Sequence, residues 1–319
     1  MKKIIVYGMG LRFKEQKHFL ESVFDIVAYC DRTFFPYDKY ITPDRINDIE
    51  FDAIYISSAK YYEEIRSELI DKYDIPADKI VTIYELLGVK EGSEERKQWV
   101  IDQLQKIPAG KTILDAGAGE LKFKPYCKHL NYIAQDFGKY DPSMEPGGIS
   151  GGDTWDTSGC DIISDIIDIP LEDMSVDAIL CTEVFEHLKN PILAVKEFSR
   201  LLKPGGLLLL TAPFCSLTHM APHFYYNGFS EYWYRVVLSE YQFDVKQIDR
   251  NGNLFQYFSW WLYRMDSLAH KYTGEELKAE DIMNIYAIVN KLSILSDKDT
   301  GSSESLCFGH NVIAYKRSR

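Results

Sequence analysis

The sequence lacks the features that mark several large classes of protein. It has no run of 18 apolar residues, so no transmembrane helix is expected. Its six cysteines include no C-x-x-C pair, which disfavours a zinc site or a disulfide framework and indicates reduced thiols in the cytoplasm. Lys plus Arg number 36 against 48 Asp plus Glu, and this net charge of −12 is unlike that of a non-specific nucleic-acid binder. We therefore expect a cytoplasmic protein without a nucleic-acid partner.

The sequence has ample material for two packed domains. It is 319 residues long, and 46% of these residues are apolar. This length suggests about two domains, and the apolar content is ordinary for a globular protein. The amino terminus is basic, but its apolar run ends at Gly8, which is too soon for a signal peptide.

Residues 1–90 are predicted to form a small Rossmann-like α/β domain. The continuous apolar runs 4–7, 26–30 and 53–56 are separated by helical segments, a pattern typical of a covered parallel sheet. Gly8 and Gly10 follow the first run and Asp31 follows the second, as in dinucleotide-binding folds. The third glycine of G-x-G-x-x-G is missing. Both a nucleotide site and a simple tight turn stay open here.

A second α/β unit is predicted from residue 91 onward, after a polar linker. An apolar strand runs into Asp115, Gly117 and Gly119, and this D-x-G-x-G segment lets the backbone approach a ligand closely. Asp136 lies 21 residues after Asp115 at the end of the next apolar run, a position suited to bind ribose hydroxyls. Asp165 ends a third run.

Two further strands complete a recognisable series. Residues 176–182 run into 183–188, and residues 207–211 follow a helix and a Lys-Pro-Gly-Gly stop. Together with the segments around Asp115, Asp136 and Asp165, these resemble the class I S-adenosylmethionine-dependent methyltransferases in order and spacing. The resemblance implies an α/β Rossmann-like seven-stranded sheet over residues 91–319. Two antiparallel strands, at 243–248 and 311–315, are expected to close that sheet.

The resemblance also implies S-adenosylmethionine as cofactor and assigns residues to it. Gly117 and Gly119 would pass under its amino-acid end, and Asp115 would help to hold that loop. Glu120 departs from the glycine often found after the G-x-G pair. Asp136 would bind the ribose, and the remaining predicted contacts, to the adenine or to the loop, are Asp165, Ile166, Thr182 and Glu183.

Three histidines are candidates for a general base, because methyl transfer to an alcohol needs a proton removed. His187 follows the fourth strand of this unit, and His219 and His223 follow the fifth, where open α/β sheets bind ligands. The predicted acceptor contacts are Glu186, Tyr225 and Tyr226. The alternatives are that Glu186 and His187 cap a turn and that the aromatic residues pack a helix onto the sheet. No closed set of metal ligands is evident, so no metal site is predicted and metal dependence stays open.

Two segments add to this framework. Residues 253–305 are a predicted helical insertion, and its Leu254–Leu268 stretch is apolar on nearly every side. Such a helix must be buried, whether between the domains, in a homodimer or as a lid over the substrate. The 137–159 loop is long enough to be functional and emerges beside Asp136, where it could cover the cofactor.

A narrower resemblance concerns the acceptor. The whole arrangement, with its N-terminal domain and its 211–219 stretch, is similar to methyltransferases of bacterial capsule and lipopolysaccharide biosynthesis. It implies O-methylation of a sugar or sugar-nucleotide hydroxyl. Three alternatives stay open: a methyltransferase with another small acceptor (N-, C- or phosphate-linked), a cofactor-binding scaffold without turnover, and a nucleotide-dependent oxidoreductase using Gly8 and Gly10.

Overall fold

The structure is a computed structural model that describes residues 1–33, 35–58, 60–90, 92–141 and 155–318. It divides into two compact units. The first combines residues 1–90 with 255–299, and the second combines 91–254 with 300–319.

The first unit contains a parallel five-stranded sheet. The strand order is β3-β2-β1-β4-β5, and each pairing in the sheet is parallel. Apolar clusters cover both faces, as continuous apolar strands require. The strands and α-helices of residues 1–90 are β1 (Lys3–Tyr7), α1 (Leu11–Val23), β2 (Asp25–Cys30), β3 (Tyr40–Ile41), β4 (Ala53–Ile56), α2 (Tyr62–Tyr73), β5 (Ile80–Val81) and α3 (Ile83–Leu86).

The second unit contains the predicted seven-stranded sheet, and the predicted α/β Rossmann-like fold class is confirmed. Its elements are α4 (Ser93–Leu104), β6 (Thr112–Ala116), β7 (Asn131–Asp136), β8 (Ile162–Ile163), β9 (Val176–Thr182), α5 (Pro191–Leu201), β10 (Leu202–Pro213), α6 (Glu231–Glu240), β11 (Phe243–Asn251) and β12 (Gly309–Lys316). The strand order is β11-β12-β10-β9-β6-β7-β8.

Strand direction decides where the functional residues meet. β6 to β10 pair in parallel, so their carboxyl ends share one edge of the sheet. β12 is antiparallel to both β10 and β11. The two closing strands are therefore antiparallel to each other, and β12 alone runs against the parallel strands.

The sequence analysis placed the helical insertion, residues 253–305, within the 91–319 domain. In the structure, residues 255–299 belong to the first compact unit. The insertion forms α7 (Leu254–Tyr263), α8 (Met265–Thr273) and α9 (Ala279–Ser296), so the predicted Leu254–Leu268 helix breaks at Arg264. Tyr286 and Val289 of α9 are fully buried in the apolar cluster on one face of the first sheet. An apolar face of a sheet must be shielded from water. Helices α1 and α9 contact each other and together shield this face. The homodimer through Leu254–Leu268 stays a prediction.

The helices of the described residues include none with the length and apolar character needed to cross a bilayer.

Candidate functional site

The turn after β6 is hydrogen-bonded to β7. The backbone N–H groups of Gly117 and Ala118 donate to the carbonyl of Gln135, at 2.8 and 2.9 Å. The N–H of Gly119 donates to Oδ2 of Asp136 at 3.0 Å, and that of Gly138 donates to Oδ1 at 2.9 Å. The Asp136 side chain, which is buried, thus fixes both the turn after β6 and the turn after its own strand.

Gly117 and Gly119 are required by backbone conformation and by space. Their φ angles are +79° and +52°, in the left-handed region that favours glycine. A Cβ at Gly117 would lie 2.4 Å from Cγ2 of Val184, and one at Gly119 would lie 2.7 Å from Cζ2 of Trp155. The loop predicted to cover the cofactor is 137–159, and its residues 142–154 lie outside the described residues. Trp155, which follows it, lies against the glycine turn.

Asp115 has a different partner from the one expected. Its carboxylate was predicted to help hold the glycine loop, but Oδ2 accepts a hydrogen bond from the Tyr132 hydroxyl at 2.6 Å. Burial raises the pKa of Asp115 to about 7, and the nearby Asp136 charge adds to this, whereas the Tyr132 hydrogen bond opposes it. The side-chain hydrogen bond to the Gly119 N–H comes from Asp136 rather than from Asp115. The physical reason is that Asp115 pairs with Ala134 of β7, so Tyr132, two residues before Ala134, lies on the same face of the sheet and within reach of Asp115.

The two residues predicted to contact the adenine, Asp165 and Ile166, follow β8 and differ in their exposure to solvent. Asp165 is exposed, and its Oδ1 accepts a hydrogen bond from the Ile167 N–H at 3.2 Å. Ile166 is only 4% exposed and packs in the core, so its side chain does not present a face to a ligand. Residues 162–166 keep alternating between less and more exposed positions beyond the end of β8, and this alternation places Ile166 on the inner side. Ile163 is more exposed, at 58%, and it lies beside Gly138.

Thr182 and Glu183 lie where β9 ends, beside the glycine turn. Thr182 is in register with Thr211 of β10. Glu183 adopts φ +54°, and its backbone N–H donates to the Thr211 carbonyl. Its carboxylate accepts from Thr211 Oγ1 at 2.9 Å and pairs with Arg96 at 3.2 Å. The Glu183 side chain therefore braces α4, β9 and β10 at this edge.

Glu186, His187 and His219 come together next to Glu183. Glu186 and His187 lie in a short 3-10 turn after β9, and His219 lies in the loop after β10. Glu186 Oε1 is 3.7 Å from His187 Nε2 and 3.9 Å from His219 Nε2. Glu186 is 1% exposed, and its Oε2 has no hydrogen-bond partner among the described residues.

The loop after β10 is fastened to the turn that carries Glu186. Its base is closed by the Ser216 N–H, which donates to the Asn227 carbonyl at 2.7 Å. The backbone N–H groups of Tyr225 and Tyr226 donate to the carbonyl of Glu186 at 2.8 and 3.2 Å. Both tyrosine side chains are exposed, and the Tyr226 hydroxyl donates to the Lys189 carbonyl at 3.3 Å.

His223 contributes its backbone rather than its ring to this cluster. Its carbonyl oxygen lies 2.7 Å from Nδ1 of His187, whereas its ring packs edge-on against Phe137, with centroids 5.2 Å apart. Phe137 follows Asp136, so the His223 ring lies toward the end of β7. The structure thus joins His187 with His219 and separates the His223 side chain from them.

Burial controls the charges in the cluster. It raises the pKa of Glu186 well above its usual range, and the Glu183 charge raises it further. It lowers the pKa of His187 to about 4, with His219 nearby adding to the effect. Without a bound cation, His187 is therefore neutral at pH 7.

Sequence reasoning missed that these three residues form a possible ligand set. Within the part of the chain that the structure describes, Glu186, His187 and His219 are the group whose donor atoms could surround a metal ion, all within 4.8 Å of one another. The expectation of no closed ligand set is therefore incomplete. The available signal was position, because β9 and β10 are adjacent and the loops after them meet.

The turn that contains Gly8, after β1 in the first unit, is hydrogen-bonded to the side chain of Asp31. Gly8 has φ +93°, and Asp31 accepts hydrogen bonds from the backbone N–H groups of Met9 and Thr33, at 2.9 Å each. Asp31 therefore has a structural partner in its own turn. A nucleotide site at Gly8 and Gly10 stays a prediction.

Two family models match the chain. One, described as "Methyltransferase domain", matches residues 153–210, and the other, "C2185-like, N-terminal", matches residues 1–81. The first match spans β8, β9, α5 and most of β10, so it includes part of the carboxyl edge of the sheet on which the site lies.

Individual proteins are similar over parts of the chain. A tRNA (carboxymethyluridine(34)-5-O)-methyltransferase of Arabidopsis thaliana is 25% identical, covering 50% of this chain and 37% of its own length. An uncharacterised methyltransferase of Mycobacterium sp. (strain JLS) is 29% identical, covering 34% of this chain and 40% of its own. The chain thus spans about two-fifths of the length of these relatives. The YcgJ protein of Bacillus subtilis superposes with a TM-score of 0.41 at 16% identity, covering 71% of this chain and all of the other.

The described residues fit S-adenosylmethionine, the donor that such domains use. Gly117 and Gly119 have no side chains of their own to obstruct the turn, and each oxygen of Asp136 accepts one N–H bond, which leaves a lone pair for a hydroxyl. These groups lie at the carboxyl edge of the strands, where ligands bind in open α/β sheets. Residues 153–210 thus match a methyltransferase domain, and the described residues at this edge fit S-adenosylmethionine as the methyl-donor cofactor of such a domain.

Proposed function

We propose that this protein transfers a methyl group from S-adenosylmethionine to a hydroxyl oxygen of a sugar or sugar nucleotide, in bacterial surface-glycan biosynthesis. The observation that carries the proposal is the single edge shared by the glycine turn and by the Glu186, His187 and His219 cluster. Val184 joins them, since it touches Gly117 and lies two residues before Glu186.

The cofactor side of the site is assigned to the turn after β6 and to Asp136. Gly117 and Gly119 would let the backbone approach the amino-acid end, and Asp136 would accept from the ribose hydroxyls. Asp165, exposed at the end of β8, would face the adenine. S-adenosylmethionine supplies a methyl group on a positively charged sulfur, so the chain's own task is to position the acceptor and to manage its proton.

The acceptor side is assigned to the turn after β9 and the loop after β10. The exposed rings of Tyr225 and Tyr226 suit the mixed apolar and hydroxyl faces of a sugar. His187 Nδ1 is held by the His223 carbonyl, which leaves Nε2 as the nitrogen directed to the cluster. His187, His219 and His223 remain the candidates for contact with the acceptor hydroxyl.

A second acceptor class has one observation in its favour. The Arabidopsis thaliana relative is a tRNA methyltransferase, and it covers half of this chain. The net charge of −12 disfavours RNA, because neutralising phosphates needs basic residues.

The test is a methyl-transfer assay with radiolabelled S-adenosylmethionine. Nucleotide sugars, free sugars and bulk tRNA would be offered separately, and products identified by mass spectrometry. Label on a sugar oxygen, lost in Asp136→Asn, supports the proposal. Label on tRNA alone, or cofactor binding without transfer to any acceptor class, contradicts it and favours the RNA or scaffold alternative.

A further inference from the structure

We propose that Glu186, His187 and His219 bind a divalent transition-metal ion at the acceptor side of the site. The three side chains offer two imidazole nitrogens and one carboxylate oxygen, all within 4.8 Å of one another. Two nitrogens and an oxygen are a donor set that suits Zn²⁺, Fe²⁺ or Co²⁺.

The hydrogen bonds of both histidines prepare the correct nitrogen. His187 Nδ1 lies 2.7 Å from the His223 carbonyl, and His219 Nδ1 lies 2.9 Å from the Leu217 carbonyl. A carbonyl oxygen can only accept, so each Nδ1 carries the proton and donates. In a neutral ring this leaves the lone pair on Nε2, and both Nε2 atoms face Glu186. Metal-ligating histidines are commonly oriented by such a bond from the other ring nitrogen.

Glu186 is costly to bury unless something binds it. It is 1% exposed, and Oε2 has no hydrogen-bond partner among the described residues. An unpaired buried carboxylate is strongly disfavoured. Arg96, a basic group on this edge, is already paired with Glu183 at 3.2 Å. A cation between Glu186 and the two histidines would supply the missing partner.

The distances fit a shared ion better than direct hydrogen bonds. Glu186 Oε1 lies 3.7 and 3.9 Å from the two Nε2 atoms, which is beyond hydrogen-bond length. Metal–ligand bonds of about 2.0–2.2 Å place neighbouring ligand atoms roughly 3–3.5 Å apart. The two Glu186 distances need to contract by a few tenths of an ångström, and the separation of the two histidine nitrogens, which is at most 4.8 Å, by as much as about 1 Å, movements that side-chain rotation can supply. The edge-on packing of the His187 and His219 rings, with centroids 4.8 Å apart, leaves their nitrogens free to converge.

Three protein ligands leave at least one coordination position open. This position would face the exposed Tyr225 and Tyr226, where the acceptor is assigned, so an acceptor oxygen could bind the ion and be held for reaction. That second step rests on the proposed function, whereas metal binding itself does not.

The experiment is cobalt binding to the full-length protein after chelator dialysis. Co²⁺ would be titrated by calorimetry and by visible absorption, whose band position and intensity report imidazole and carboxylate ligation. We expect one ion per chain, displaced by Zn²⁺. His219→Ala and Glu186→Gln should each weaken binding at least about a hundredfold, since even removal of an outer-shell partner commonly costs 10–100-fold. His270→Ala is the control, because it removes an exposed imidazole that is not part of this ligand set, and it should bind as the wild type does.

Folding and cofactor binding are checked in the same samples. Each variant should keep its thermal unfolding transition and its affinity for S-adenosylhomocysteine, so that loss of cobalt binding is specific. If His219→Ala is unfolded, Glu186→Gln carries the test. The inference is overturned if the wild type does not bind cobalt, or if both ligand variants bind it as tightly as the control.

The outcomes separate this inference from the proposed function. Cobalt binding that depends on Glu186 and His219, without methyl transfer to sugars, supports the metal site and contradicts the sugar acceptor. Methyl transfer at the same rate before and after chelation, with no cobalt binding, supports the methyltransferase and overturns the metal site.

Discussion

The carboxylate of Asp136 accepts a hydrogen bond from the backbone N–H of Gly119, at 3.0 Å. This bond joins the end of β7 to the turn after β6, two elements that are separate in sequence and adjacent in the sheet. One buried side chain thereby shapes the glycine turn and remains available to a ligand hydroxyl.

Asp136→Asn should weaken binding of S-adenosylhomocysteine by about 10–100-fold. The substitution removes the charge that strengthens both backbone bonds, and a charge-assisted bond contributes about 1.5–3 kcal/mol. Calorimetric titration measures the change. Asp168→Asn, an exposed acid near the same edge, should bind normally. Equal affinity in wild type and Asp136→Asn would contradict a role for this carboxylate.

Gly117→Ala should destabilise the protein more than Gly110→Ala. The two glycines have nearly the same φ, +79° and +80°, so the backbone strain of about 1–2 kcal/mol is matched. A Cβ at Gly117 meets Val184 at 2.4 Å, whereas one at Gly110 meets nothing within 4 Å. Urea unfolding compares the two variants.

The added cost at Gly117 should fall when the obstructing side chain is shortened. Gly117→Ala combined with Val184→Ala relieves the clash but not the backbone strain. The double variant should therefore recover part of the loss relative to Val184→Ala alone. No recovery would show that the contact with Val184 is not the cause.

Asp115 should make the protein less stable as pH rises from about 4 to 7. Its folded pKa is about 7, above the unfolded value, so in this range the folded state keeps a proton that the unfolded state has lost. Stability is then fully present below the unfolded pKa and is lost toward the folded one, with a slope of at most about 1.4 kcal/mol per pH unit.

The pH effect is isolated by comparing variants. Asp115→Asn cannot titrate, so the difference in unfolding free energy between it and the wild type should change across this range and level off above pH 7. Tyr132→Phe removes the bond that stabilises the charged form, and should extend the change to higher pH. A constant difference between wild type and Asp115→Asn would refute the raised pKa.

Arg200→Ala should destabilise the second unit by about 1–3 kcal/mol. Its guanidinium donates to Glu197 at 2.6 Å and to the carbonyls of Ile169 and Leu171 at 3.0 and 2.8 Å. Removing it leaves the nearly buried Glu197 carboxylate without its cation. Denaturant unfolding measures the loss. Arg200→Lys should recover little, because a point ammonium cannot span these acceptors, and exposed Arg235→Ala should be nearly neutral.

The sequence by itself determined the sheets and the cofactor edge. Continuous apolar runs, several of them ending in glycine or an acid, predict parallel strands with polar residues at one edge, since such runs indicate burial on both faces of a sheet. Asp136, Gly117 and Gly119 were identified in this way. Their backbone angles and bonds agree with the predicted turn, and their binding roles await the titrations.

Tertiary structure decided what depends on contacts between distant segments. Local pattern could not show that Asp115 would bond Tyr132, that Ile166 would turn into the core, or that α9 would cover the first sheet. Nor could it place His219 beside Glu186, 33 positions earlier in the chain. That proximity arises because β9 and β10 are neighbours in the folded sheet, so the segments following them meet in space although a whole helix separates them in sequence.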